Sequence, residues 1–130
     1  MPARPFDYAI IRVVPRVERG EFLNAGIVVC CPTASFLGCR VRLDAPRLAA
    51  LCPEADAASI ARHLQALCAV CHGEPTAGPI AALPLRERFH WLVHPRSAVL
   101  QVSEVHAGTS EDLDATLEQL FDAVVGRGHA

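Results

Sequence analysis

Lysine is absent from this chain, so every one of its 12 Lys+Arg positions is arginine. We read that bias as genomic base composition, without functional content. Set against 14 acidic residues, the arginines leave a formal charge of −2 and no bulk electrostatic drive toward nucleic acid or an anionic membrane. Any anion binding must therefore be local. Aromatic residues are also scarce, at 5% of the chain, too few to build a stacking surface for nucleic acid. No apolar run approaches the roughly 18 to 20 residues that span a bilayer. The opening Met1 to Asp7 lacks the unbroken apolar stretch of a signal peptide, because Asp7 and Arg12 interrupt the one candidate run. A cytoplasmic protein is the expectation. Missing too are a Gly-rich phosphate loop, a nucleophile elbow, a paired-carboxylate signature and any internal repeat.

What is present suffices for a core. Hydrophobic residues make up 52% and charged residues 20% of 130 residues, and no linker-like stretch divides them, so one domain over residues 1–130 is expected. Tyr8 to Val14 is β-branched and apolar and stops at Pro15, which predicts a strand. Ala25 to Cys31 and Phe36 to Leu43 predict two more, joined by short links into an antiparallel meander. In the third, Leu37, Cys39, Val41 and Leu43 alternate with Phe36, Gly38, Arg40 and Arg42. That period predicts a core face and an arginine-bearing outer face, which Arg12 would share.

Asp44 as N-cap and Pro46 in the first turn predict a short helix closed by Pro53. A longer one carries Ile60, Leu64, Leu67, Cys68 and Cys71 on one stripe and ends at Gly73. Glu74 to Pro84 reads as an irregular connection. Phe89 to His94 is ambiguous between strand and helix and is assigned as a strand, as is Ser97 to Ser103. The last helix, Ser110 to Val125, is predicted from Thr109 and Asp112 as a capping box and from the stripe Leu113, Leu117, Leu120, Phe121 and Val124. These elements make an α+β fold, an antiparallel sheet of about four or five strands with the helices packed on one face.

Cys68-Ala69-Val70-Cys71-His72 matches the pattern for covalent haem attachment, but that chemistry goes with export, and both cysteines already belong to an apolar helical stripe. Zinc would need four ligands, and Cys52, Cys68, Cys71 and His72, or His90 and His94 with the thiol pair, are the candidates. Cys30 and Cys31 point to opposite faces of a strand and suit one ion poorly. In a cytosolic chain, buried packing residues with protonated thiols are the expectation, with no metal and no cofactor.

Around the first hairpin stand Arg12, Glu21 and Asn24. One reading makes them structural: Glu21 and Asn24 satisfy the turn backbone, Gly26 allows a bulge or a close approach, and Arg12 pairs with Glu21. The other makes them a polar pocket in which Arg12 binds an anion bidentately and Asn24 orients it. Arg96, Ser97 and His106 would then arrive from later in the chain, with His106 able to move a proton near neutrality. Tyr8 through Arg12 to Pro15, then Gly20-Glu21-Phe22-Leu23-Asn24-Ala25-Gly26-Ile27-Val28, resembles the opening signature of a bacterial family, domain of unknown function 3037. Trp91-Leu92 to Pro95-Arg96-Ser97, with Val99-Leu100-Gln101 and Val105-His106-Ala107-Gly108, is similar to its second signature, and Leu120-Phe121 to Val124-Val125 fits its last helix. The resemblance implies a stand-alone intracellular domain without an established activity, and a HipA-like kinase as protein partner. A binding or accessory module is the resulting expectation. The alternative is a small enzyme on an anionic substrate, with Arg12 and Arg96 binding and His106 or Glu21 as acid or base.

Overall fold

The computed structural model describes residues 2–94 and 99–126. Strand β1 (Arg4–Val13) is apolar on both faces, with Phe6 buried on one side and Ala9, Ile11 and Val13 on the other. A strand of that kind has to be covered twice. Its neighbour β2 (Leu23–Cys31) buries every residue but Asn24 to the same degree. With β3 (Phe36–Val41) they form the expected antiparallel meander. Two further strands extend the sheet to five: β4 (Leu100–Val102) and β5 (His106–Ser110) both pair antiparallel with β1. Because β4 pairs with Ile11 to Val13 and β5 with Arg4 to Tyr8, they follow one another along one edge. Ser103 bridges the junction, its Oγ accepting from Ile10 N–H at 2.8 Å while its own N–H donates to Ile10 O at 2.8 Å.

Three helices cover one face. Helix α1 (Ala45–Leu51) is capped by Asp44, α2 (Ala57–Cys71) by Asp56, and α3 (Leu85–Leu92) follows the irregular connection. Leu48, Ile60, Leu64, Cys68, Cys71 and Leu92 meet Ala9, Ile11, Val13, Ala25, Val28 and Cys39 in the larger core. On the opposite face α4 (Leu113–Val124) lays the expected stripe over Phe6, Ile27, Val29 and Cys31, and Phe121 is only 1% exposed. The α+β class and the five-stranded antiparallel sheet agree with the sequence reading. The helices do not share one face, because β1 and β2 are apolar on both sides.

The same fact relocates the arginines. Arg40 and Arg42 do not stand on a bare outer face; their guanidinium carbons lie 4.7 and 5.1 Å from the Phe121 ring centroid, under α4. Phe89 to His94 is not a strand either. Phe89 to Leu92 complete α3, whose short length and mixed polarity left the period undecided. The segment from His106, to which the sequence pattern assigned no element, is a strand, and Thr109 lies within it. The N-cap of α4 is Asp112, whose side chain accepts from Ala115 N–H at 3.1 Å.

Candidate functional site

The register of the first hairpin determines what its signature residues meet. Ile11 lies opposite Gly26 but Arg12 lies opposite Asn24, so Ala25 is an extra residue in β2 and the pair is bulged there. Gly26 is required at that point for space: a Cβ would sit 2.8 Å from Val41 Cγ1 and 2.9 Å from Arg40 O. Arg12 and Asn24 thus stand side by side on the α4 face of the sheet, with Gln101 of β4 as Arg12's other neighbour.

Their bonding is incomplete. Asn24 Nδ2 donates to Val124 O at 3.2 Å, in the last turn of α4, while its Oδ1 is buried without a hydrogen-bond partner among the described residues. Arg12 Nε is in the same condition, and its guanidinium carbon lies 4.5 Å from the centroid of the Phe22 ring. Next to them Arg42 donates to Gly126 O, just past α4. An amide and a guanidinium therefore meet the carbonyl end of α4, where the helix dipole favours positive charge. Arg40 is held by Glu118 of α4. Arg40 and Arg42 belong to this arrangement and were missed as local contributors; the signal was their alternation with core residues, which placed them on one face without saying what covers it.

Glu21 does not pair with Arg12. It accepts from Arg19 Nε at 2.5 Å on the surface, and that hydrogen bond holds its carboxyl below the usual range. Gly20, at φ 68°, turns the chain between the two, so the pair is local. His106 is on β5, opposite Tyr8, with ring centroids 5.2 Å apart. Tyr8 precedes Arg12 by four strand residues, about 13 Å at ~3.3 Å per residue. The structure therefore brings Arg12 and Asn24 together, engages Glu21 with Arg19 and sets His106 against Tyr8. Arg96 and Ser97 lie outside the described residues.

All six cysteines are buried and reduced. No group of three or more His, Cys, Asp or Glu able to hold a metal ion occurs among the described residues. Cys52 instead bonds Glu54, Sγ to Oε2 3.3 Å, and Cys68 bonds Cys39, Sγ to Sγ 3.1 Å. Protonated thiols were expected, and two of the six are shifted further toward that form. Burial pushes Cys30 up to about 11, and hydrogen bonding to Cys68 and Cys71 with burial pushes Cys39 well above its ordinary value. The hydrogen bond that Cys68 shares with Cys39 lowers Cys68 from its ordinary value. Elsewhere, a mostly apolar cavity of about 290 Å³ opens between α2, α3 and β4, lined by His63, Leu67, Trp91, His94, Leu100 and Val102.

No helix among the described residues is long and apolar enough to cross a membrane. No curated protein and no solved structure matches the chain. The family described as Protein of unknown function (DUF3037) matches residues 8–125, which takes in the bulged part of the first hairpin, β3 and the whole of α4, and the chain belongs to that family.

Proposed function

We propose that this chain is a non-enzymatic binding module of the bacterial cytoplasm, acting as one domain, and that it docks a protein partner through the β1–β2 connection. The observation that carries the reading is the exposure of Val17 and Phe22, 52% and 47%, on one short connection beside Arg12. An aromatic ring resting on an arginine, with a second apolar side chain nearby and charges around it, has the composition of an interface anchor. Arg16 with Glu54 and Arg19 with Glu21 supply the polar rim. The enzymatic alternative, Arg12 holding an anionic substrate with His106 or Glu21 as acid or base, draws less support, because Glu21 is engaged by Arg19 and His106 lies against Tyr8.

Family resemblance makes a HipA-like kinase the first partner to test. Purified kinase would be captured on immobilised protein, unaltered or carrying Val17→Asp or Phe22→Ala. Each change should weaken capture by tenfold or more while the melting temperature stays within about 2 °C, as expected for exposed positions. Undiminished capture by both variants would exclude the connection as the docking element, and absence of binding by the unaltered chain would exclude the kinase.

A further inference from the structure

The cysteines outside the hairpin carry a separate inference. Cys39 on β3 and Cys68 on α2 come from different layers of the larger core, 29 positions apart in sequence, yet their sulfurs are 3.1 Å apart. A disulfide needs about 2.05 Å between sulfurs, so closure requires a movement of about 1 Å. Packing alone does not call for two thiols here, since Ala or Val would fill such a position without a polarisable sulfur. Both thiols also line the same open groove of about 600 Å³, with Arg62, Gln65, His72 and Glu74 around them. A reagent of small-molecule size can therefore reach a pair that is otherwise buried.

The geometry points to Cys39 and Cys68 as a reversible thiol–disulfide site, oxidised by a low-molecular-weight disulfide that enters the groove. Cys68, the more exposed of the two at 9% against 7% and lowered from its ordinary value by the hydrogen bond they share, is the attacking sulfur. Its thiolate forms a bond to one sulfur of the small disulfide, whose S–S bond breaks and whose other half leaves as a thiolate. Cys39, giving up its proton, then attacks the Cys68 sulfur and expels the second half. The two leaving thiolates take up the two protons lost by the cysteines. The protein is oxidised by two electrons, and the small disulfide is reduced to two thiols. Cys71 is the neighbour that this scheme leaves out: it touches the Cys39 thiol but is not among the groove residues.

The test treats the folded, reduced chain with glutathione disulfide and reads intact mass, a peptide map and a melting curve. Expected are loss of two hydrogens, a Cys39–Cys68 cross-linked peptide, and a melting temperature higher by roughly 5–10 °C from closing the loop. Cys71→Ser should retain the cross-link; Cys39→Ser should stop at a glutathione adduct on Cys68. A stable adduct in the unaltered chain, a cross-link through Cys71, or no mass change would each overturn the proposal. The map of the unaltered chain decides even if a serine variant fails to fold.

Discussion

Phe121→Ala probes whether α4 is part of the fold or an appendage. The side chain is 1% exposed, and it sits among Phe6, Ile27, Val29 and Cys31 with Arg40 and Arg42 against its ring. Truncating a buried Phe to Ala costs about 3–5 kcal/mol from lost transfer energy and the cavity left behind. Two half-buried cation–π contacts would add about 1 kcal/mol together. The sum, about 4–6 kcal/mol, is a large part of the ~5–15 kcal/mol that holds a domain of this size folded. At roughly 3–5 °C per kcal/mol, the melting temperature should fall by about 12–30 °C. Urea unfolding read by far-UV circular dichroism checks the free energy, provided the slope is unchanged. A loss under about 1.5 kcal/mol would refute the reasoning, since it would mean that α4 shields little of the second core.

Arg42→Ala should cost about 1–2 kcal/mol by withdrawing a charged donor from the end of α4, measured by the same unfolding curve. Asn24→Ala should cost less, about 0.5–1 kcal/mol, because the change removes the buried unpartnered Oδ1 along with the bond to Val124. Arg12→Ala should leave the melting temperature within a few degrees yet weaken partner capture as Phe22→Ala does, since its guanidinium rests on that ring; a collapse of stability instead would mark it as structural. Cys30 gives a pH dependence. Its thiol is raised to about 11 from 9.0, so the protonated form is favoured by folding, and the stability it contributes is complete below pH ~9 and lost as pH rises through ~11. The loss, at most about 3 kcal/mol, should be smaller in Cys30→Ala; equal slopes in the two chains would rule the thiol out as its source.

Residue pattern carried the class, the meander, the caps at Asp44 and the α4 stripe, because each of these is a local relation between neighbours in sequence. It did not carry the placement of helices. Strand parity says that Arg40 and Arg42 face away from Cys39, but not that a helix some 75 residues later returns to cover them. It also failed where two local signals competed. The apolar Trp91 and Leu92 beside His90 and His94 fit either period, and His106-Ala107-Gly108 carries too little hydrophobicity to announce a strand that exists because β1 offers it an unpaired edge. Of the candidate site, Arg12 and Asn24 were legible as a pair because both belong to one hairpin. The expected Arg12 to Glu21 pairing failed because Arg19, two residues from Glu21 across the Gly20 turn, is nearer in the chain.

The bulge at Ala25 joins the fold to the proposed docking element. In a regular strand Leu23, Ala25 and Ile27 would share one face, and Asn24 would share the other with Val28. Instead Leu23, Ala25 and Val28 enter the larger core while Ile27, Val29 and Cys31 enter the second. The extra residue therefore reverses parity, and Asn24 lands beside Arg12 at the end of α4 instead of in the larger core. The reversal leaves Arg12 Nε and Asn24 Oδ1 buried and without a hydrogen-bond partner among the described residues, at about 1–3 kcal/mol each by the usual penalty for such groups. Apolar residues at both positions would avoid that penalty and still fill space under the helix. Polar groups kept there at a cost to stability fit the proposed docking role of the adjoining connection, with its exposed Val17 and Phe22, better than they fit the packing of α4, and Val105, though also exposed, has no such pair beside it on β1 and β2.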